Sequence, residues 1–410
     1  AQIMGGISAD IPIIQLVTGP MLTGSFRGER VGACTDCRRF WANYRAEELN
    51  DEDIEEVNNQ LVPTVGTCGV MGTASTMAII TEALGLMVPN SACAPAVSAD
   101  RKRIAENTGK IAVKIANENL RPSSFLSKKN FLNALMVLSS IGGSTNGLVH
   151  LTAMAGRLGI KIDLGEFDNL TKNLPMIVDL KPSGSGYMED LYKAGGSQRI
   201  FYELRDFLYL DAESVNGTTI GEDIKGSAKW SQEIITNKSN PIFNAGSIAV
   251  LKGSLAPNSA IIKQSAASEN LLIHEGKAVV FEGLEDLANR IDTDDLDVTK
   301  DDILVLKSIG PKGGPGMPEA GLIPIPKKLA RQGVKDMIRI SDGRMSGTAS
   351  GTIVLHVTPE SYENGPLAIV QDGDLIKLDV PNRRIDLKIS EKEIAKRIKK
   401  KEKMSIKRRG

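Results

Sequence analysis

The spacing of apolar residues changes near Asn240-Pro241, and this change constrains the fold more than any other feature of the chain. Before it, apolar residues mostly recur every three or four positions, which predicts helices with a few short apolar strands. After it, short apolar runs dominate, and the last two alternate with polar residues, which predicts strands. Because 410 residues are too many for one hydrophobic core, we expect two domains. We predict an α/β fold, with an N-terminal α/β domain at 1–240 and a β-rich, barrel-like C-terminal domain with flanking helices at 241–410.

End signals sharpen the helix predictions. Ser98 can cap a helix that runs through Ala116, and Ser390 with Glu393 forms a capping box that opens the last helix. The apolar run at 175–180 predicts a buried strand. The other predicted helices span 131–138, 146–156, 188–194 and 198–207. The predicted strands of the second half span 247–251, 260–263, 277–281, 303–306, 337–340, 352–357, 376–380 and 385–389, and a hairpin at 381–384 joins the last two.

Charge and composition argue against several classes of function. Lysine plus arginine and aspartate plus glutamate both number 50, so the net charge gives no reason to expect a nucleic-acid partner. The sequence has no apolar run long enough to cross a bilayer and no signal-peptide pattern. Four cysteines in a chain of this length do not make a disulfide framework. We therefore expect a cytoplasmic protein that binds neither nucleic acid nor membranes.

The stretch from Gly66 to Met77 is rich in glycine and contains Cys68, about one turn before a helix that Gly85 ends. A thiolate at this position would have loop N–H groups around it and would point at the positive end of the helix dipole. Such a setting favours an anionic metal centre or an anionic substrate. A small buried side chain in a turn explains the local sequence equally well.

A second stretch, from Ser341 to Thr348, follows an apolar strand and places serines between a strand end and glycines. A serine exposed there can act as a nucleophile or a base, although the glycine spacing is not that of a hydrolase elbow. No histidine is obviously paired with it, so a nearby metal is the expected activator. A plain Gly/Ser turn is the alternative.

Two further glycine-rich loops carry polar side chains. The loop that ends in Glu319 lacks the Gly-Lys-Ser/Thr ending of a nucleotide-binding loop, but it delivers a carboxylate of the type that Mg²⁺ prefers. A turn of Ser144, Thr145 and Asn146 stands at a helix start, where it could bind a substrate carboxylate. A solvated acid and simple helix capping are the respective alternatives.

The remaining cysteines and the histidine of the first half are interpreted as structural. Cys34 and Cys37 form a CxxC pair that lacks a second pair or suitably spaced histidines, and Cys93 has no motif around it. His150 lies in an apolar helix and is interpreted as a core residue. The basic run from 396 to 409 is interpreted as a solvated, frayed helix.

Taken together and in this order, these stretches resemble the family of dihydroxy-acid and sugar-acid dehydratases. The likeness runs over nearly the whole chain. The form of the Met71–Met77 piece is more similar to the sugar-acid branch, such as arabinonate or xylonate dehydratases, than to the enzyme of branched-chain amino-acid synthesis. The matching pieces are Gly66–Cys68, Met71–Met77, Thr81–Gly85, Ala99–Lys102, Gly142–Asn146, Gly310–Glu319 and Ser341–Thr348.

The resemblance implies a hydro-lyase that removes water from a 2,3-dihydroxy acid and gives a 2-keto-3-deoxy acid. It implies that Cys68 binds an iron–sulfur cluster, of the [2Fe–2S] or the [4Fe–4S] type, which acts as a Lewis acid on the leaving C3 hydroxyl. It further implies that Glu319 binds Mg²⁺, that Ser346 takes the C2 proton as an alkoxide, and that Thr348 and the Ser144-Thr145-Asn146 turn lie near the substrate. A small-molecule acid as substrate and a homodimer or homotetramer as assembly belong to the same expectation.

The chain departs from the family pattern at both ends. Family members carry an N-terminal Cys-Asp-Lys motif that supplies cluster and Mg²⁺ ligands, and an aromatic-rich C-terminal segment. Neither occurs in this sequence. We therefore expect a fragment or truncated reading frame that cannot hold a complete cluster alone and has little activity, an expectation that activity recovered with stoichiometric iron and sulfide would contradict. Branched-chain dihydroxy-acid dehydratase and a catalytically silent remnant are the alternative functions.

Overall fold

The computed structural model describes the backbone of residues 1–227, 230 and 232–409, and the side chains of these residues up to 401. The chain forms two compact units. The first contains residues 1–39 and 51–247, and the second contains residues 40–50 and 248–410. The change of pattern at Asn240-Pro241 lies shortly before the second unit resumes at Ile248. None of the described helices is both long enough and apolar enough to span a membrane.

The first part of the chain is mainly helical, with one short antiparallel hairpin of β1 (Gly24–Phe26) and β2 (Glu29–Val31). Its helices are α1 (Gln2–Ala9), α2 (Ala33–Arg45), α3 (Asp51–Gln60), α4 (Thr73–Ala83), α5 (Ala99–Glu118), α6 (Pro122–Phe125), α7 (Lys128–Ser140), α8 (Asn146–Arg157), α9 (Leu164–Thr171), α10 (Met188–Lys193), α11 (Gly196–Glu203) and α12 (Ile220–Asp223).

Most helix predictions for this part are confirmed. Ser98 caps α5 as expected, because its hydroxyl accepts a hydrogen bond from the Arg101 N–H at 3.2 Å. The predicted helices at 131–138, 146–156 and 188–194 correspond to α7, α8 and α10, whereas the one at 198–207 already ends at Glu203. The strand predicted at 175–180 is wrong. Among the described residues, the run forms only isolated bridges. Met176 pairs with Phe243, while Val178 and Leu180 pair with two other segments, so no continuous ladder develops.

The second unit contains an eight-stranded sheet in the order β10-β9-β5-β6-β7-β8-β4-β3. An isolated bridge between Lys252, which follows β3, and Arg384 of β10 joins the two ends of this order, so the sheet is nearly closed into a barrel. The barrel-like prediction is therefore confirmed. The strands are β3 (Ala249–Leu251), β4 (Ser259–Ile262), β5 (Ile273–Phe281), β6 (Ile303–Leu306), β7 (Arg339–Ser341), β8 (Ile353–Thr358), β9 (Leu375–Asp379) and β10 (Arg384–Leu387), and the helices are α13 (Leu284–Arg290), α14 (Lys327–Ala330) and α15 (Glu391–Arg409).

The central strands position the two loops of interest. Strands β5, β6, β7 and β8 pair in parallel, and β6 is buried on both faces. Ile303 and Val305 of β6 pack into the barrel core, while Leu304 and Leu306 pack into a second apolar cluster with α13 and α14. Because parallel neighbours end at the same edge, the loop after β6 and the loop after β7 emerge side by side. These loops carry Glu319 and Ser346.

Candidate functional site

Cys68 lies in a loop immediately before α4, as predicted. The loop turns at Gly66, whose φ of 137° is open to glycine and not to other residues, and α4 starts at Thr73. The backbone N–H groups of Cys34 and Val70 point at the Cys68 sulfur. Nevertheless, a hydrogen bond with the Cys34 side chain and burial together raise the pKa of Cys68. Only Val70 of these two donors belongs to the glycine-rich loop, and in this environment the group is a thiol, so a thiolate would need a metal to displace the proton.

Cys34 is the residue that sequence reasoning missed in this region. Its CxxC pairing with Cys37 is interpreted above as structural, yet its side chain hydrogen-bonds that of Cys68, which lies far away in the sequence. Cys34 is exposed and stands at the first turn of α2, and neither cysteine forms a disulfide. No spacing rule connects residues 34 and 68, so only the fold could reveal the pair.

A buried polar network holds the start of α2 in place. The Asp36 carboxylate, which is 1% exposed, accepts hydrogen bonds from the Lys181 ammonium at 2.8 Å, the Tyr187 hydroxyl at 2.9 Å and the Gly32 N–H at 2.8 Å. Burial by itself would raise the pKa of Asp36, but these donors outweigh it and the pKa is lowered. The same burial and the neighbouring carboxylate raise the pKa of Tyr187. The network therefore fixes the position from which Cys34 reaches Cys68.

The predicted turn of Ser144, Thr145 and Asn146 lies at the start of α8 and contacts the start of α4. The Ser144 and Thr73 hydroxyls are 3.1 Å apart, and the Asn146 side-chain amide donates to the Thr73 hydroxyl at 3.0 Å. All three turn residues are buried, and the Thr145 hydroxyl has no partner among the described residues. The structure thus brings the Cys68 loop and this turn together within the first unit.

A cavity of about 440 Å³ lies beside the Cys68 loop in the first unit, and Thr67, Ser75, Thr81 and His150 are among its lining residues. The interpretation of His150 as a core side chain is wrong. The residue is only partly buried, and it lines this cavity.

In the second unit, the glycine-rich loop after β6 delivers Glu319 next to the loop after β7. Arg344 lies 3.3 Å from the Glu319 carboxylate, and its Nε atom donates to the Met317 carbonyl at 2.5 Å. Backbone contacts also join the two loops, because Ala320 and Met345 form a bridge and the Gly321 N–H donates to the Arg344 carbonyl at 2.9 Å. Glu319 is exposed, so its carboxylate is accessible to a ligand.

Ser346 and Thr348 form a hydroxyl pair on the loop after β7. Their side-chain oxygens are 2.9 Å apart. Met345 and Ala349, on either side of the pair, are buried in a small apolar cluster with Ile353, which fixes the turn. Ser346 is half-buried and Thr348 is 3% exposed. The Ser346 hydroxyl is therefore the more exposed member of the pair, and the buried Thr348 hydroxyl lies within hydrogen-bond distance of it.

His356 of β8 lies close to the same loop, since its backbone N–H donates to the Gly343 carbonyl at 3.0 Å. Its Nε2 atom is buried without a partner among the described residues. Burial, with a smaller contribution from the positive charge of Arg344, lowers the pKa of His356 to about 4. The histidine is therefore neutral at physiological pH.

Cys68 and Glu319 are of the ligand types that an iron–sulfur cluster and Mg²⁺ take, respectively. Each fits as one member of a ligand set. Within the part of the chain that the structure describes, no three histidine, cysteine, aspartate or glutamate side chains stand close enough together to hold a metal ion. These residues therefore supply only part of the donors that either group requires.

Comparison with known proteins places these features in a family. The family model described as "Dihydroxy-acid/6-phosphogluconate dehydratase N-terminal" matches residues 1–223, and its C-terminal counterpart matches residues 233–410. The chain is 44% identical over 398 residues to the L-arabinonate dehydratase of Rhizobium leguminosarum bv. trifolii (strain WSM2304), an alignment that covers 97% of this chain and 69% of the relative. The L-arabonate dehydratase of Azospirillum brasilense is 41% identical, with the same two coverages.

Dihydroxy-acid dehydratases are also similar. Dihydroxy-acid dehydratase 1 of Methanosarcina acetivorans is 39% identical over 401 residues, which cover 97% of this chain and 72% of the relative. All three relatives are named dehydratases, which is consistent with a hydro-lyase. The chain therefore belongs to the dihydroxy-acid/6-phosphogluconate dehydratase family.

Proposed function

We propose that this protein dehydrates a sugar acid of the arabinonate type to a 2-keto-3-deoxy acid. The observation that carries the proposal is the Ser346–Thr348 hydroxyl pair, held on a loop whose Arg344 contacts Glu319. Dehydration of a 2,3-dihydroxy acid removes a proton from C2 and a hydroxyl from C3. The Ser346 base beside the Glu319 carboxylate suits such a substrate. The L-arabinonate and L-arabonate dehydratases among the relatives support the sugar-acid branch.

In the proposed reaction, the deprotonated Ser346 hydroxyl takes the C2 proton. The C–H electrons form the C2–C3 double bond, and the C3 hydroxyl leaves with the electrons of its C–O bond. The departing hydroxide takes up the proton that Ser346 removed and leaves as water. The resulting enol loses the proton of its C2 hydroxyl and gains one at C3 from the solvent, which gives the 2-keto acid. A serine is a weak base because its alkoxide is costly, and a hydrogen bond donated by the Thr348 hydroxyl would reduce that cost.

When bound, an iron–sulfur cluster and Mg²⁺ would supply the Lewis acidity that a poor leaving group and an α-proton of low acidity both need. Cys68 would contribute a thiolate to the first group and Glu319 a carboxylate to the second. Arg344 would keep Glu319 in place through its contact with the carboxylate. The type of cluster and the remaining ligands stay open.

The turn of Ser144, Thr145 and Asn146 is proposed to bind substrate. The buried Thr145 hydroxyl has no partner in the described residues, and an unsatisfied buried hydroxyl costs about 1–3 kcal/mol. A hydroxyl of the acid could satisfy it. We further propose that the protein acts in the cytoplasm as a homodimer or homotetramer. Light scattering on the purified protein would test the number of subunits.

A substrate panel tests the function. The protein, expressed from its complete reading frame and purified without oxygen, would be incubated in D₂O with L-arabinonate, other pentonates and hexonates, and 2,3-dihydroxy-3-methylbutanoate. We expect a pentonate to be turned over fastest, with one deuterium incorporated at C3 of the 2-keto product, as NMR would show. No keto acid from any substrate, despite bound iron, would refute the proposal.

Dihydroxy-acid dehydratase of branched-chain amino-acid synthesis is the second candidate, because a relative named dihydroxy-acid dehydratase 1 is 39% identical over 97% of this chain. The same panel decides between the two. A higher kcat/KM for 2,3-dihydroxy-3-methylbutanoate than for every sugar acid would favour this second function.

A further inference from the structure

Lys263 is a fully buried lysine whose ammonium has no hydrogen-bond partner in the described part of the chain. The residue is 1% exposed. A buried ammonium without a counter-ion is strongly unfavourable. Burial accordingly lowers the pKa of Lys263 to about 7. Keeping the Lys263 ammonium buried costs stability, which points to a role in binding an anionic ligand.

Another buried lysine of the same unit shows the usual solution. Lys307 is 2% exposed, and its ammonium donates to the Glu282 carboxylate at 2.7 Å and to the Val370 carbonyl at 2.8 Å. Both lysines directly follow a strand of the same sheet, β4 and β6 respectively. The two lysines therefore differ in that no described residue hydrogen-bonds the ammonium of Lys263, and they do not differ in burial or in the type of element.

The register of the sheet places Lys263 near the serine loop. β4 ends at Ile262, which pairs with Val354 of β8, and continuing this antiparallel register sets Lys263 opposite Ile353. Ile353 packs with Met345 and Ala349, the two residues that flank the Ser346–Thr348 pair. Lys263 thus lies on the sheet face that carries this loop.

Hydrogen bonds hold the segment after Lys263 in the same position. The Gly351 N–H donates to the Ala266 carbonyl at 2.7 Å, and the Ser268 N–H donates to the Thr352 hydroxyl at 3.1 Å. Residues 263–268 consequently run alongside the end of the serine loop. The pairing of β4 with β8 thus holds the backbone before Lys263, and these hydrogen bonds hold the backbone after it.

We infer that Lys263 provides the cation that binds the carboxylate of the acid substrate beside Ser346. This inference rests on the proposed function, since it assumes an acid substrate at the serine loop. A carboxylate is the counter-ion that the buried ammonium lacks. Its two oxygens offer about four acceptor positions, so a lysine and a metal ion can share it. Binding through Lys263 would also select acids over neutral sugars of the same shape.

Binding measurements with an acid and its neutral amide test the inference. In the Ser346→Ala background, which prevents turnover, calorimetry would compare L-arabinonate with L-arabinonamide in the presence of Mg²⁺. Lys263→Met should weaken binding of the acid at least 30-fold and leave binding of the amide within threefold. Lys307→Met is the matched control, and it should leave both affinities within threefold of the starting protein.

Stability provides the second readout. Because Lys263→Met removes a buried ammonium that no described residue hydrogen-bonds, we expect the urea midpoint of this variant to be equal to or higher than that of the starting protein. Unchanged binding of the acid, equal losses for acid and amide, or a lowered midpoint would each overturn the inference, as would a starting protein that binds no acid. Failure of the proposed function is distinguishable, because wild-type protein would then bind the acid through Lys263 without dehydrating it.

Discussion

The guanidinium of Arg344 lies 3.3 Å from the carboxylate of Glu319, and this contact joins the loop after β6 to the loop after β7. Arg344 precedes the Ser346–Thr348 pair by two residues, so one side chain connects the proposed Mg²⁺ ligand with the proposed base. Both loops leave the same edge of parallel strands, which is where α/β sheets commonly bind ligands.

Replacing Ser346 should abolish most of the chemistry and little of the binding. We expect Ser346→Ala to lower kcat by about 10²–10⁴-fold, the usual contribution of a general base, with KM changed less than threefold. Ser350→Ala is the matched control, since Ser350 lies on the same loop and is exposed. Steady-state kinetics on the preferred sugar acid would measure both, and equal effects of the two variants would contradict the assignment.

Replacing Glu319 should affect the metal requirement and leave the fold intact. Because the Glu319–Arg344 pair is partly exposed, we expect Glu319→Gln to change the free energy of unfolding by less than about 1 kcal/mol. Activity should instead fall, and the Mg²⁺ concentration for half-maximal activity should rise at least tenfold. Glu363→Gln is the control, because Glu363 is also an exposed acid in an ion pair, in its case with Lys312. An unchanged Mg²⁺ dependence in Glu319→Gln would argue against the ligand role.

Much of the second unit could be predicted from sequence because each strand is a short apolar run between turn signals. The run at 303–306 matches β6 residue for residue. The two runs of alternating apolar and polar residues, at 376–380 and 385–389, form the β9–β10 hairpin. The prediction failed at 175–180, where the apolar residues are buried but their partners come from three different segments. Local periodicity reports burial there and carries no information on pairing.

The candidate site was predictable only in its motif residues. The Cys68 and Ser346 stretches could be identified because glycines and strand ends mark them. Cys34 and Lys263 could not, since one depends on a contact with a distant loop and the other on the register of β4 against β8. Sequence spacing encodes neither relationship.

The Asp36 network should dominate the stability of the α2 start. Asp36→Asn leaves the largely buried Lys181 ammonium without its charged partner, so we expect a loss of about 2–3 kcal/mol at pH 7. Because the pKa of Asp36 is lowered from 3.8, its stabilising contribution is present above pH 3.8 and is lost as the pH falls through the folded-state value. Urea unfolding at several pH values would measure this.

The double variant Asp36→Asn/Lys181→Met serves as the control for that prediction. It should be more stable than Asp36→Asn alone, because the unpaired ammonium is gone. Strictly additive losses would mean that the two side chains do not interact.

His356 should make the protein sensitive to acid between pH 6.5 and 4. Its pKa is lowered to about 4, so the unfolded chain binds a proton in this range and the folded chain does not. Stability therefore falls as the pH drops from 6.5, by about 3 kcal/mol at most from this group. His356→Asn should remove that part of the pH dependence, and asparagine tolerates the φ of 53° at this position. His274→Asn controls for removal of an imidazole from the same sheet.

The contact between Cys34 and Cys68 predicts a specific cross-link. Their side chains are hydrogen-bonded and neither forms a disulfide, so a diazene oxidant such as diamide should join them in metal-free protein. The two thiols lose two hydrogens, the sulfurs form one bond, and the diazene is reduced to the hydrazine. Peptide mass spectrometry should then find the Cys34–Cys68 pair. Cys34→Ser should prevent the cross-link, whereas Cys37→Ser, one turn further along α2, should not.

If iron binds through Cys68, loading the protein with iron and sulfide beforehand should suppress the cross-link, and undiminished cross-linking in iron-loaded protein would place the metal elsewhere.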